Sequence, residues 1–231
     1  MTEGTLAILL GLNLEFSRHE DLSFSKALQT AAAIGYRFVE PMVHTGRQLL
    51  AEGGFFHSVS MLEDPLAMKQ ACDEAGLRIS ALSSHAQLVK PDIAVDYLRA
   101  GIQYAGELGV PVVNTSEGTK RPWTTEEEDF TLIRYSLTLA AHDAERRSVM
   151  IGLEPHHQYS GSMEGMDRLL ALVDSPAIGV NFATGNAVVD WEQVIDICSR
   201  APRDIVFSVE CGSTEQAERS FAHLGALLPS T

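Results

Sequence analysis

Positive charge is scarce in this chain: its 231 residues carry 17 Lys and Arg against 31 Asp and Glu, a formal net charge of -14. That balance argues against a general polyanion binder, so nucleic acid is not expected as a substrate and a small molecule or a protein is. Long hydrophobic runs are missing as well. The longest apolar stretches, such as residues 6–10 and 149–153, are strand-sized and far short of the ~20 residues a membrane helix requires. Met1-Thr2-Glu3-Gly4 lacks the basic start of a signal peptide, so a cytoplasmic location without a membrane partner is expected. Cysteine is limited to Cys72, Cys198 and Cys211, far apart and without CxxC spacing. An odd number so spaced points to reduced structural thiols rather than a disulfide framework or a zinc knuckle.

What is present is repetition of a βα unit. Short β-rich runs alternate with helical patterns, and several junctions carry the glycine that caps a helix before the next strand. Ala33-Ile34-Gly35 precedes a strand at 38–43, Glu74-Ala75-Gly76 one at 79–83, and Glu107-Leu108-Gly109 one at 110–114. Strands at 149–154 and 178–182 are nearly unbroken apolar runs, as expected where both faces of a parallel strand are covered. A strand at 6–13 opens the series and one at 205–210 closes it. The pattern predicts helices over 93–108, 125–145, 163–173, 191–199 and 214–227. Thr124-Thr125-Glu126-Glu127-Glu128 puts hydroxyls and then acids at a helix start, as capping and the helix dipole favour.

Seven strands result, with no composition shift to mark a second domain, so residues 1–231 read as one α/β domain: a TIM-barrel-like parallel barrel, seven-stranded or incomplete. A doubly wound sheet is the alternative, but Leu10-Gly11-Leu12-Asn13 offers no phosphate-binding glycine pattern after the first strand.

In a parallel barrel the chemistry is built from side chains at the C-terminal ends of strands. Here those ends read Val39-Glu40-Pro41, Ser83-Ser84-His85, Asn114-Thr115-Ser116-Glu117-Gly118, Glu154-Pro155-His156-His157 and Glu210-Cys211. A carboxylate closing a buried strand must be neutralised by a partner, a hydrogen-bond network or a metal. Glu154 and Glu210, with His85 or His156 nearby, would suit Mn²⁺, Mg²⁺ or Co²⁺. Glu40 and Glu117 have two open readings, substrate contact or turn capping and pairing with Lys120 and Arg121. His85 is open between substrate binding and a structural role, whereas His44, His57, His142 and His223 read as surface or packing residues.

The ordered set Asn114-Thr115-Ser116-Glu117-Gly118, Ile151-Gly152-Leu153-Glu154-Pro155-His156, Val180-Asn181-Phe182 with Thr184-Gly185-Asn186, and Ser208-Val209-Glu210-Cys211-Gly212 resembles successive motifs of the sugar isomerase and epimerase, xylose isomerase-like TIM barrels. The resemblance covers most of the chain. It implies a carbohydrate substrate and a divalent metal that stabilises an enediolate, held by a Glu after strand five, an Asp after strand six, a His after strand seven and a Glu after strand eight. Glu154 and Glu210 match the first and last, as acid/base groups and metal ligands together. His85, Glu117, His156 and Asn186 would contact the sugar.

Two departures stand out. Where the pattern carries Asp after strand six, this chain reads Ala183, and a methyl group binds no metal. Gly185-Asn186-Ala187 then runs into Val188-Val189-Asp190-Trp191, which resembles the segment after strand seven, so that strand and its His have no counterpart. A βαβ unit needs roughly 30 residues, more than lie between Ala183 and Trp191. The expectation is thus a carbohydrate isomerase or epimerase by descent, impaired by lost metal ligands, with an open edge suited to homo-oligomer formation. A lyase or decarboxylase of an oxidised sugar acid is a second reading. A noncatalytic sugar- or partner-binding barrel is a third.

Overall fold

The computed structural model describes residues 8–45, 57–156, 158–182, 191–201 and 204–228. β1 (Ile8–Asn13), α1 (Phe16–His19) and α2 (Phe24–Ile34) lead into β2 (Phe38–Glu40), β3 (Val43–His44), β4 (Val59–Ser60) and α3 (Pro65–Glu74). The centre comprises β5 (Arg78–Ile79), β6 (Leu82–Gln87), α4 (Pro91–Leu108), β7 (Val112–Ser116), α5 (Glu126–Arg147) and β8 (Met150–Leu153). The last elements are α6 (Met163–Leu170), β9 (Ile178–Val180), α7 (Trp191–Ser199), β10 (Ile205–Val209) and α8 (Thr214–Leu227).

The helix ends follow local chemistry. Thr125 and Glu128 exchange side-chain and backbone hydrogen bonds in a full capping box at the start of α5, with four acids in its first turn and Arg146 and Arg147 in its last. Ser23 caps α2 through the Lys26 amide, and that helix stops at Gly35 in the left-handed region.

All ladders are parallel: β3 pairs with β4 in a short sheet of its own, and two four-stranded sheets run in the orders β10-β1-β2-β5 and β6-β7-β8-β9. The two sheets join along one stretch of chain, since β5 and β6 are consecutive pieces of the expected strand at 79–83. The Ser83 amide donates to Pro41 O at 2.9 Å, so this stretch also stays beside the one following β2. Among the described residues the wall therefore offers seven strand positions. The strand expected at 38–43 is divided into β2 and β3 because Pro41 has no N–H to give a ladder.

Two hydrophobic clusters lie between wall and helices. The larger packs α4 and α5 on β6, β7 and β8, with Leu82, Leu98, Ile102, Val113, Ile133 and Ile151 fully buried. The smaller packs α2 and α8 against β1 and β2 around Leu12, Leu28 and Tyr36, whose hydroxyl donates to Ala217 O at 2.9 Å. Cover thins toward the end of the chain. The expectation that residues 178–182 are covered on both faces is corrected: Val180 is 44% and Phe182 54% exposed, and α7 has no buried residue. Among the described residues β9 pairs only with β8 and β10 only with β1, so no ladder joins β9 to β10 and each leaves one side without a strand.

Candidate active site

β8 ends at Leu153 and hands Glu154 to the mouth of the wall, its amide donating to Thr115 O at 2.9 Å. The side chain is almost fully buried, at 5% exposure. Glu154 Oε2 lies 3.5 Å from Asn181 Nδ2 and 4.0 Å from His85 Nε2, while Oε1 lies 3.7 Å from His156 Nδ1. Ser83 Oγ orients His85 through a 2.7 Å hydrogen bond to Nε2, and the two imidazole centroids stand 6.3 Å apart. Burial, followed by the negative charges of Glu210, Glu40 and Glu15, pushes the Glu154 carboxyl up to about 8, against a lowering hydrogen bond from Asn181. At neutral pH this group holds its proton.

A second buried carboxyl supports the first. Glu40, at the end of β2, accepts from Asn114 Nδ2 at 2.8 Å across three strands. Burial is the largest force raising its pKa; the Asn114 hydrogen bond opposes, and Glu210 and Glu15 add to the rise. Asn114 lies over β8 because residue 152 is glycine, where a Cβ would stand 2.3 Å from Asn114 Oδ1. Glu15 follows β1, its amide donating to Asn13 Oδ1 at 2.8 Å and its carboxylate paired with Arg18 at 2.8 Å. Glu210 stands exposed just past β10. Four acids thus act on one strand-end mouth, two of them buried and raised.

Of the residues expected from sequence, Glu154, His85 and His156 come together, and Glu210 reaches them through its charge. Glu117 is turned inward at 1% exposure, where Oε1 accepts from the amides of Tyr159 and Ser160, both at 2.9 Å. It does not pair with Lys120 or Arg121; Arg121 bonds Asp92 at 3.1 Å. Glu40 likewise bonds Asn114 and caps no turn. His44 is a packing residue, buried with Nδ1 2.8 Å from Ser58 Oγ. Asn186 and Ala183 lie outside the described residues, as does the chain from 183 to 190. Sequence reasoning missed Glu15, Asn114 and Asn181 as site residues; Asn114 and Asn181 stand at strand ends within quoted motifs, which is the signal that could have found them.

No group of three or more His, Cys, Asp or Glu side chains among the described residues is placed to hold a metal ion. The nearest neighbours of Glu154 are imidazoles at 3.7 and 4.0 Å, and residue 183 is alanine in the sequence. The described residues do not fit a resident divalent metal.

The model of the xylose isomerase-like TIM barrel family matches residues 28–224. Among solved structures the chain is similar to a D-tagatose 3-epimerase-like protein, at 14% identity with 95% of this chain and 99% of that one covered and a TM-score of 0.69. It is similar to a sugar phosphate isomerase/epimerase from Parabacteroides distasonis, at 15% identity, 98% of each chain and a TM-score of 0.67. A xylose isomerase-like TIM barrel protein from Mycobacterium smegmatis, in complex with magnesium, matches at 17% identity and a TM-score of 0.60, over 79% of this chain and 66% of that chain. No curated protein sequence matches.

Proposed function

Because the chain belongs to the xylose isomerase-like TIM barrel family, we propose that its strand-end mouth binds a carbohydrate and carries out an isomerase- or epimerase-type proton exchange next to a carbonyl. One observation carries this reading: Glu154 is a buried carboxyl with its pKa near 8, set between two imidazoles at the end of a barrel strand. A group protonated at neutral pH beside ionised ones is the arrangement that divides acid from base roles.

In the proposed step Glu154 gives its proton to the carbonyl oxygen of a hydroxy-ketone or hydroxy-aldehyde. The exposed carboxylate of Glu210 takes the proton from the adjacent carbon, leaving an enediol. Return of that proton from Glu210 to the former carbonyl carbon, with the neighbouring hydroxyl passing its proton to the Glu154 carboxylate, gives the isomer and restores both groups; protonation of the original carbon by water from the opposite face, with the enediol hydroxyl returning its proton to Glu154 and Glu210 giving its own to water, gives the epimer. His85 and His156 hydrogen-bond the sugar hydroxyls and the developing oxyanion. Among the described residues these imidazoles are the groups placed to stabilise the developing oxyanion.

Ala183 at the position where the family pattern carries an Asp favours a second reading, a noncatalytic carbohydrate-binding barrel. Both are tested by incubating the protein in D₂O with a panel of ketoses, aldoses and their phosphates. NMR then follows deuterium at the carbon next to the carbonyl, and saturation transfer follows binding. Exchange abolished in Glu154→Gln supports the enzyme reading. Binding without exchange supports the second. Neither binding nor exchange across the panel contradicts both.

A further inference from the structure

Two buried carboxylates outside the Glu154 cluster meet on one tyrosine. Glu117 Oε1 takes the Tyr159 and Ser160 amides, and Asp129 Oδ2, from the first turn of α5, takes the Tyr159 hydroxyl at 2.7 Å. Glu117 and Asp129 are 1% and 0% exposed. The Tyr159 ring packs on Phe130 at 4.9 Å between centroids, and the Arg168 guanidinium covers Phe130 at 4.2 Å. Ser160 closes the connection to the site, because its Oγ accepts from the His156 amide at 3.0 Å. On the far side Gly165 lies so close that a Cβ would stand 1.8 Å from Tyr159 O. The chain after β8 is therefore fastened at its amides and its phenol, and the residue it holds next to Glu154 is His156.

We propose that Glu117 and Asp129 form a clasp on Tyr159 and Ser160 that sets His156 against Glu154, so that Glu117 is a positioning residue for the mouth and touches no substrate. What the clasp needs from residue 117 is an acceptor at Oε1. Its other oxygen, Oε2, is buried without a partner among the described residues, as is Asp129 Oδ1. Glutamine keeps the acceptor oxygen and puts an NH2 where Oε2 stands, whereas alanine leaves two buried amides unpaired.

The consequence for catalysis rests on the proton-exchange reading, so the test has two independent arms. Hydrogen–deuterium exchange needs no substrate: Glu117→Ala speeds exchange of the Tyr159 and Ser160 amides at least about 10-fold, and Glu117→Gln restores most of the protection. Unchanged protection in Glu117→Ala overturns the clasp. In the second arm, kcat/KM for carbohydrate proton exchange falls at least about 10-fold in Glu117→Ala and recovers in Glu117→Gln, and the double variant Glu117→Ala/His156→Ala is no slower than His156→Ala. Losses that multiply, or a Glu117→Gln variant as slow as Glu117→Ala, overturn the positioning role. If the wild-type protein exchanges no sugar proton, the functional reading fails while the amide arm still decides the clasp.

Discussion

At the scale of single residues, the costliest placements are the carboxyls of Glu154 and Glu40. Both carry folded-state pKa values raised above the usual 4.5, Glu154 to about 8, with burial the leading cause. The folded protein thus keeps protons that the unfolded chain gives up. The stability this contributes is complete below the unfolded value and falls as pH rises above it, for Glu154 from 4.5 through about 8. Urea unfolding at intervals from about pH 6 to about pH 9 is expected to show falling stability, with a shallower fall in Glu154→Gln, which has no proton to lose. Asn114→Ala removes the donor to buried Glu40 and is expected to cost about 1–3 kcal/mol in the same experiment. The placement of Glu154 at a buried strand end was legible in the sequence because it ends an apolar run. Glu117 was read as a sugar contact or a turn cap, and its bonds to the Tyr159 and Ser160 amides were not legible, since those partners lie 42 and 43 positions away.

At the scale of elements, local chemistry decides where the helices begin and tertiary partners decide where the strands break. Thr125 was readable as a cap because its hydroxyl and Glu128 are three residues apart, and Thr125→Ala is expected to lower stability by about 1 kcal/mol in urea unfolding. The breaks in the second and third strands follow from Pro41 and from a change of partner, β5 facing β2 and β6 facing β7, which no local pattern encodes. The turn into α6 is tighter still. Gly165→Ala must displace the Tyr159 carbonyl, so a loss of about 1–3 kcal/mol is expected, with faster amide exchange at Tyr159 and Ser160.

At the scale of the whole molecule, order is graded. The α4 and α5 helices with β6, β7 and β8 contain most of the fully buried side chains, while α7 buries none and β10 is only half-buried. Native-state hydrogen exchange is therefore expected to open α7 at least about 100-fold faster than the centres of α4 and α5. The βα repetition, and with it the barrel-like wall, was legible because glycine caps and apolar runs recur in order. The thin cover over β9 was not, because an apolar run such as 178–182 reads the same whether or not a neighbour covers it. The mouth spans the well-packed and the thinly covered parts: Glu154 stands on β8, and Glu210 on the exposed end of β10. The pH dependence of proton exchange on a carbohydrate in D₂O tests this arrangement most directly. The account predicts exchange that falls as pH rises through about 8 and is absent in Glu154→Gln; exchange that is indifferent to pH across that range, or that persists in Glu154→Gln, would contradict it.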